Sequence, residues 1–374
     1  MRSHLPPPNV DRDAYRLEIS GLVKQPLSLT LDEIKSVPAR DMTCVVECAG
    51  NGRALYAPPS TSGTQWERGA VGNATWTGAE LAFLLRRAEP LPEAKHAWFE
   101  AADLAPLPET PRFIRSIPIE KALDDTLLAY GMNGEALTRL HGAPLRAIVP
   151  GWYGMASTKW ITRVRLEAAP SDNHFMVKGY RYAYPGEDPT QAPPVDQMRI
   201  KSVITRPLEG SKQPVGKVRI QGFAWGGAGV RLVEVSADKG KNWQPAGFMG
   251  DTQPMAWRTW ATEFEWKAPA RIQVMARATD SRGDVQPIEA RVNGGGYGNN
   301  LDPRGELPCR LRACAARGSW SRRSPSPRSP RSRSRVSSHG RMRATSHGPP
   351  RRASFPPVTA SRSRIARVKP VTRR

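Results

Sequence analysis

The stretch TCVVECAGNGR, residues 43–53, decides how the whole chain is interpreted. Residues 42–47 are rich in apolar and β-branched side chains, which predicts a short strand that runs into a turn of glycine and asparagine. Cys48 lies where the strand meets the turn, and Arg53 follows shortly after it. A neighbouring guanidinium lowers the pKa of a thiol and favours the thiolate, the form that binds a metal or acts as a nucleophile.

The alternative for the cysteines of this stretch is burial in a core, because a free cysteine is commonly a small buried side chain. Cys44 has no adjacent turn or cation and is expected to be such a residue. Zinc is less favoured, since the C-x3-C spacing lacks a second pair nearby and Cys309 and Cys314 belong to a polar C-terminal segment. The order GNGR also differs from the G-x-G-x-x-G fingerprint of dinucleotide-binding domains.

The positive charge of the chain is concentrated near its C-terminus. The 374 residues carry a formal net charge of +22, and residues 301–374 contain 20 of the 56 basic and 2 of the 34 acidic side chains. Residues 1–300 therefore carry only +4, which argues against nucleic-acid binding by the body of the protein. No run of about eighteen apolar residues predicts a transmembrane helix. Four cysteines do not suffice for a disulfide framework in a chain of this length.

Residues 301–374 are expected to form a disordered basic tail, because they are rich in arginine, serine and proline. Such a segment cannot bury enough apolar surface to offset the entropy lost on ordering. A frameshift near residue 300 would explain this composition, and we favour that interpretation. The alternative is a genuine basic arm that contacts phosphate backbones without sequence preference.

Residues 1–200 mix helix and strand signals, which predicts an α+β fold class. Thr30 and Glu33 have the spacing of a capping box, in which the two side chains satisfy each other's backbone N–H groups at a helix start. The same device is predicted at residues 77–80. It precedes apolar side chains that recur at helical spacing over residues 81–88.

Residues 201–300 show the alternation of apolar and polar side chains that is typical of strands. Four such segments, 217–225, 230–237, 257–266 and 271–279, are separated by turns rich in glycine and aspartate. Several short strands within about a hundred residues predict an antiparallel β-sandwich of the immunoglobulin type. No strand is predicted beyond this segment, so we expect the sandwich to lack its last strand.

Several motifs, in the same order along the chain, resemble those of the sulfite oxidase family. These are RSHLP (residues 2–6), CVVECAGNGR (44–53), HGAPLR (141–146), STKW (157–160) and KSVITRP (201–207). The resemblance implies a molybdopterin-binding catalytic domain over residues 1–200 and an immunoglobulin-like dimerisation domain over residues 201–300. The chain is identified as a molybdopterin-dependent oxidoreductase similar to bacterial sulfite dehydrogenases and to the molybdenum subunit of sulfane dehydrogenases.

The resemblance also assigns roles to individual residues. Cys48 would be the thiolate ligand of the metal, beside the two dithiolene sulfurs of one molybdenum–molybdopterin cofactor per chain. The catalytic and substrate-facing residues would be Cys48, Tyr180, Arg53, Arg2 and Trp66. The cofactor would be held by His4, Cys48, Asp103, His141, Arg146, Ser157, Thr158 and Lys159. Arginine, lysine and hydroxyl groups suit the phosphate of such a cofactor.

The reaction that the resemblance implies is the oxidation of sulfite, or of a related small anionic sulfur compound, by oxygen-atom transfer. No C-x-x-C-H haem motif is present, so we expect no haem in this chain and a separate c-type cytochrome as electron acceptor. The family further implies a homodimer or a hetero-oligomer with a cytochrome subunit, and a periplasmic location. Because no signal peptide opens the chain, we expect its start to be misassigned.

One position departs from the family pattern and leaves the substrate open. The family often has a further substrate-binding arginine where this sequence has Gly295. The loss of one anion contact makes sulfane sulfur bound to a protein the alternative to sulfite. Nucleic-acid binding through the tail is a weaker alternative, and retention of Cys48, Arg53 and Tyr180 argues against a non-catalytic relative. Tyr182, in the same GYRYAY segment, is a near alternative to Tyr180.

Overall fold

The regular secondary structure of the described residues consists mainly of strands. The computed structural model describes residues 3–56, 61, 63–251, 253–289 and 291–301, together with the backbone of 309–314. All of these described residues belong to the unit Met1–Gly318. The unit Ser319–Arg374 and the site candidate Arg2 are not among the described residues. In the part of the chain that is described, no helix combines the length and the apolar character needed to cross a membrane.

Strands predominate in the N-terminal domain. They are β1 (Arg16–Gly21), β2 (Leu27–Thr30), β3 (Ala39–Glu47), β4 (Val71–Glu80), β5 (His96–Ala101), β6 (Arg115–Pro118), β7 (Leu127–Met132), β8 (Glu135–Ala136), β9 (Arg146–Ile148) and β10 (Ile161–Glu167). The helices are short and comprise α1 (Leu31–Lys35), α2 (Leu81–Ala88), α3 (Ile119–Asp124) and α4 (His174–Val177).

Two sheets that share a large hydrophobic cluster organise this domain. The first sheet has the strand order β2-β1-β10-β5-β6, and the second has the order β3-β4-β7-β8 with β9 paired to β7. Strands β1 and β10 run parallel, whereas β3, β4 and β7 pair antiparallel. Leu17 and Phe99 of the first sheet, Leu84 of α2 and Leu128 of the second sheet belong to a single buried cluster. The core therefore joins both sheets, and burial of these side chains is the main term that stabilises their arrangement.

The predicted capping box at the start of α1 is confirmed. The Thr30 hydroxyl accepts from the Glu33 N–H at 3.2 Å, and the Glu33 carboxylate accepts from the Thr30 N–H at 2.7 Å. The second predicted device, at residues 77–80, is wrong. Those residues end β4, where their backbone groups pair with β3 and β7, and α2 begins only at Leu81 without a side-chain cap. Pairing within the sheet thus overrides a local helix-start signal.

The C-terminal domain is mostly β, as predicted. Its strands are β11 (Lys201–Arg206), β12 (Lys212–Pro214), β13 (Gly216–Trp225), β14 (Val230–Ser236), β15 (Gln244–Pro245), β16 (Gly247–Met249), β17 (Arg258–Trp266), β18 (Arg271–Asp280) and β19 (Cys309–Cys314). They form one sheet of order β11-β13-β17-β16 and another of order β12-β19-β18-β14-β15. Side chains from both sheets, including Ile220, Trp260, Val233 and Val274, share one buried cluster.

Strand β19 corrects the expectation that this domain lacks its last strand and that everything after residue 300 is disordered. The backbone of β19 lies between two strands, antiparallel to β18 and parallel to β12. The physical reason is that β18 otherwise presents a free edge, and an unpaired row of N–H and C=O groups readily accepts another strand. The rest of the predicted basic tail lies outside the described residues.

A buried polar network joins the two domains at the end of β3. The carboxylate of Glu47, which is 1% exposed, accepts from the Lys201 ammonium at 3.1 Å, from the Trp225 indole at 2.9 Å and from the Asn51 amide at 2.8 Å. Lys201 and Trp225 belong to the C-terminal domain, whereas Glu47 directly precedes Cys48. A buried charge is tolerated when it is paired and its oxygens are hydrogen-bonded, which holds here.

We expect the substitution Lys201→Met to lower the free energy of unfolding by about 3–5 kcal/mol, because it leaves a buried carboxylate without its counter-ion. Chemical denaturation of the purified protein measures this change. The matched control is Arg40→Met, since the Arg40–Glu80 pair has a comparable distance of 2.7 Å but both side chains are about half exposed. Loss of that surface pair should cost no more than about 1 kcal/mol. Equal costs for the two variants would contradict the structural importance of the Glu47 network.

Candidate functional site

Cys48 lies where β3 runs into a tight turn. Its backbone N–H donates to the Ala70 carbonyl at 2.9 Å, and its own carbonyl accepts from the Asn51 N–H at 2.8 Å. Gly52 has a φ of 82°, a left-handed conformation that glycine adopts without steric cost. The thiol is half-buried and is not part of a disulfide. The chain thus presents one sulfur, on a turn fixed by backbone hydrogen bonds, at the edge of the domain core.

Arg53 is folded back onto this turn, with its guanidinium against Gly50. Its guanidinium donates from Nε to the Gly295 carbonyl at 2.9 Å and from Nη1 to the Thr64 carbonyl at 3.0 Å. A Cβ on Gly50 would lie 2.8 Å from Nη2 of Arg53, so the glycine is needed for this close approach. Arg53 is only 7% exposed, and its described hydrogen bonds are to neutral carbonyls, so its positive charge remains available to an anion.

Tyr180 is the phenol of this site, and it has a φ of 55°, which a non-glycine residue rarely adopts. Its hydroxyl lies 2.5 Å from Nε2 of His4, and its ring stacks on Tyr297 with centroids 5.1 Å apart. Burial raises the pKa of Tyr180, and the neighbouring Tyr297 and Cys48 raise it further. The phenol therefore keeps its proton at neutral pH and can donate a hydrogen bond. Tyr182 is more deeply buried and packs under Arg199 instead.

His4 and Trp66 border this group in different ways. The imidazole of His4 stacks on Phe113 at 4.9 Å and lies 4.8 Å from the ring of Phe175, which fixes its orientation toward Tyr180. Trp66 is half-buried, and its carbonyl accepts from the Ala54 N–H at 3.0 Å, so it is held beside the Cys48 turn through its backbone. The structure therefore places Cys48, Arg53, Tyr180 and His4 in one group, and Trp66 is linked to the Cys48 turn through its backbone. The roles predicted for these residues stay predictions.

Lys159 is the cation of a second group of predicted residues. Its ammonium donates to the Ser3 hydroxyl at 2.6 Å and to the Leu140 carbonyl at 3.0 Å. Burial, the largest cause, and the nearby Arg146 together lower the pKa of Lys159 to about 8, and Asp103 opposes both. Lys159 has no carboxylate within ion-pair distance among the described residues. A buried ammonium that has no carboxylate partner among the described residues favours an anionic ligand.

Arg146 and Ser157 support the loops of this group. Arg146 is 1% exposed, and its guanidinium donates to the His141 and Ser157 carbonyls, both at 3.0 Å, above the ring of Trp76. The Ser157 hydroxyl accepts from the Val149 N–H at 3.1 Å. Both side chains therefore hold the HGAPLR and STKW motifs together. Direct contact of either side chain with a cofactor stays a prediction.

Thr158, Asp103 and His141 supply polar atoms that are not fully used. The Thr158 hydroxyl and one carboxylate oxygen of Asp103 are buried and have no hydrogen-bond partner among the described residues. The His141 ring bonds to the Thr138 hydroxyl through Nδ1 at 2.8 Å, which leaves Nε2 for another partner. Burial and nearby positive charges lower the pKa of His141. Buried polar atoms are normally satisfied, so the unused Thr158 hydroxyl beside Lys159 fits a phosphate oxygen, whereas the Asp103 carboxylate, which accepts hydrogen bonds, fits an N–H donor of the same ligand.

Two residues that the sequence did not indicate complete the site. Tyr297 stacks on Tyr180 and lies under the guanidinium of Arg53 at 5.3 Å, and Arg115 lies over the ring of Tyr180 at 5.4 Å. Arg115 is in a strand segment without any motif, so no sequence signal distinguished it from an ordinary surface arginine. Tyr297 follows the glycine run that begins at residue 294, and an aromatic residue after such a run was the one available signal.

Comparison with known proteins agrees with this geometry. Residues 4–175 match the oxidoreductase molybdopterin binding domain, and residues 192–301 match the Mo-co oxidoreductase dimerisation domain. Mitochondrial sulfite oxidase from Rattus norvegicus is 37% identical over 305 residues, which cover 76% of this chain and 56% of that protein. The chain thus spans about half the length of the mitochondrial relatives that it matches.

Two further proteins match over most of their own length. Sulfite oxidase from Arabidopsis thaliana is 32% identical, with 76% of this chain and 80% of that protein covered. The crystal structure of the sulfane dehydrogenase SoxCD from Paracoccus pantotrophus has a TM-score of 0.70 and 32% identity, with 79% of this chain and 76% of that chain covered. Because this identity extends over three-quarters of its residues, the chain belongs to the sulfite oxidase family of molybdopterin-binding oxidoreductases.

Proposed function

We propose that this protein oxidises sulfite, or a related small anionic sulfur compound, at a molybdenum–molybdopterin cofactor bound through Cys48. The observation that carries the proposal is the half-buried thiol on a rigid turn, with the charged Arg53 and the protonated Tyr180 beside it. Membership of the sulfite oxidase family supports the same reaction. Electrons pass to an external c-type cytochrome, and the protein acts as a homodimer or together with a cytochrome subunit.

The residues around Lys159 would bind the pterin end of the cofactor. The Lys159 ammonium and the Thr158 hydroxyl hold its phosphate, His141 donates or accepts through its free Nε2, and Arg146 fixes the two loops that carry these groups. When bound, the cofactor supplies oxygen-atom transfer to sulfur and accepts two electrons. The protein contributes placement and charge, which is the general division of work in cofactor enzymes.

The residues around Cys48 would bind the substrate. Overall, sulfite and water give sulfate, two protons and two electrons, so the site must hold an oxyanion before and after the reaction. Arg53 contributes a buried positive charge whose orientation is fixed by two carbonyl acceptors. When Nε2 of His4 carries its proton and donates to the phenol oxygen, the Tyr180 O–H is left to donate to a substrate oxygen. Preorganised donors of this kind stabilise charge without rearrangement.

Sulfane sulfur carried by a thiol is the second candidate substrate, and Gly295 is the observation that favours it. A Cβ at position 295 would lie 2.1 Å from the ring of Tyr297, so no side chain fits there in this conformation. The family arginine at this position is therefore replaced by an aromatic ring. A pocket without an arginine directly at this position suits a monoanionic persulfide better than the sulfite dianion. The similarity to a sulfane dehydrogenase supports this candidate.

The first test is the molybdenum content of the protein and its dependence on Cys48. We expect about one molybdenum atom per chain in the wild type, measured by elemental mass spectrometry. Cys48→Ser should lose the oxidase activity and weaken metal retention, because the thiolate is the expected protein ligand. Cys44→Ala is the matched control, since this buried thiol lies on the strand that leads into Cys48 and its loss should leave both quantities unchanged. Wild-type protein that folds in a cofactor-competent host without molybdenum would overturn the proposed function.

The second test separates the two substrates. The loaded protein is assayed with sulfite and with a peptide persulfide, and reduction of a c-type cytochrome is followed. A clear preference for sulfite in kcat/KM supports sulfite oxidation, and a preference for the persulfide supports the sulfane candidate. Activity with neither compound, in protein that contains molybdenum, would contradict both.

The third test concerns the charge state of Lys159 in cofactor-free protein. Its pKa is about 8 in the folded protein and 10.5 for an ordinary lysine. Between these values the unfolded chain binds the proton and the folded chain does not, so raising the pH favours folding of the wild type. Relative to Lys159→Met, the wild type should therefore gain up to about 3 kcal/mol of unfolding free energy from pH 8 upward.

Denaturant titrations at a series of pH values measure this difference. Lys95→Met is the control, because Lys95 is exposed and its replacement removes one lysine without changing the buried site. In cofactor-loaded protein the stability difference between the wild type and Lys159→Met should vary less with pH, because the bound phosphate compensates the charge of the ammonium. A flat difference for Lys159→Met in the cofactor-free protein would show that this ammonium is not held in a desolvated state.

A further inference from the structure

The space beside Gly295, the position that lacks the family arginine, is filled by the ring of Tyr297, which stacks on Tyr180. Because the Tyr297 ring occupies the space next to Gly295, it lies against Tyr180 with an angle of 28° between the ring planes. Each ring of the pair also contacts a guanidinium. Arg53 lies 5.3 Å from the centroid of Tyr297, and Arg115 lies 5.4 Å from that of Tyr180. Two cations thus flank the phenol that faces the substrate.

Arg115 is a buried cation without a compensating carboxylate. It is 2% exposed, and Nη1 donates to the carbonyl of Phe175. Its Nε–H has no hydrogen-bond partner, and no acidic side chain lies within ion-pair distance, among the residues that the structure describes. Burial lowers the pKa of Arg115 to about 10, so it is still charged at neutral pH. Burying an unpaired charge destabilises the folded chain, and an anion that binds nearby offsets that cost.

The contact between Arg115 and Tyr180 gives this charge a route to the substrate. A cation over the face of a phenol withdraws electron density from the ring and strengthens the O–H as a donor to an anion. Tyr180 is anchored at the same time by His4 and by Tyr297, so the effect acts on a hydroxyl of fixed position. Arg115 is on β6, far in sequence from the segment that carries Gly295.

We propose that Arg115 is a positioning residue of the anion site, which supplies through Tyr180 the positive charge that the family obtains from an arginine at position 295. This inference rests on the proposed function, since it concerns the same substrate pocket. It explains how a site that lacks one arginine can still bind an anionic sulfur compound. The positive charge of Arg115 lies behind the ring of Tyr180. There it strengthens the Tyr180 hydroxyl as a hydrogen-bond donor and leaves the space in front of the ring open to the substrate.

The test compares Arg115→Met and Arg115→Lys with wild-type, cofactor-loaded protein. Two readouts are used: the Kd of sulfate, a non-reactive anion, measured by calorimetry, and the KM and kcat of the substrate that the wild type oxidises. We expect Arg115→Met to raise the Kd of sulfate and the KM about 10- to 100-fold, as for loss of a hydrogen bond to a charged group. The value of kcat and the molybdenum content should change little, and Arg115→Lys should restore most of the affinity.

Arg165→Met is the matched control, because Arg165 also lies over an aromatic ring, that of Trp98 at 4.6 Å, but on the sheet surface beside Glu100 and Glu167. It should bind sulfate as the wild type does. An unchanged Kd for Arg115→Met, or an Arg115→Lys variant as weak as Arg115→Met, would overturn the inference.

A second measurement covers the case in which Arg115→Met does not fold. Arg115→Lys is then combined with Tyr180→Phe in a double-mutant cycle on the Kd of sulfate. Non-additive effects support action through the phenol, and additive effects overturn it. The outcomes also separate this inference from the proposed function. Wild-type protein without molybdenum or sulfur oxidation defeats the proposed function, whereas active wild type with an indifferent Arg115→Met defeats only the role of Arg115.

Discussion

The site depends on the hydrogen bonds that the buried Glu47 carboxylate accepts. It is the last residue of β3, and its two oxygens accept from Lys201, Trp225 and Asn51. One of these donors fixes the turn that follows, and two come from the C-terminal domain. The next residue is Cys48, so the position of the thiol is set by both domains together. An apolar residue at position 47 could fill the space but could not fix three donors at once.

The cations of the site are oriented by neutral acceptors. Arg53, Arg115, Arg146 and Lys159 all donate to backbone carbonyls, and a carboxylate is within ion-pair distance of none of them in the described part of the chain. A carboxylate would hold each group equally well but would cancel its charge. Carbonyl acceptors fix direction and leave the positive potential in place, so the pocket is arranged for anions before any ligand enters.

Local sequence predicted those features that depend on neighbouring residues. The turn at Cys48 and the cap at Thr30 are of this kind, because backbone hydrogen bonds within a few positions determine them. The capping device expected at residues 77–80 failed because strand pairing with distant residues competes for the same N–H groups. Arg115 and Tyr297 could not be found from sequence, since their roles arise from contacts with Tyr180 across the fold. Spacing along the chain contains no information on such contacts.

Stability and cofactor loading must be linked in this protein. Burial lowers the pKa of Lys159 and Arg115, which means that the folded, ligand-free chain bears the cost of desolvated charges. An anion that binds only the folded state removes that cost and adds its own binding free energy. These buried cations therefore lower the free energy of unfolding of the ligand-free chain, and replacing them with hydrophobic side chains would raise it. The charges persist because the same desolvation that weakens the fold strengthens every contact with a bound anion.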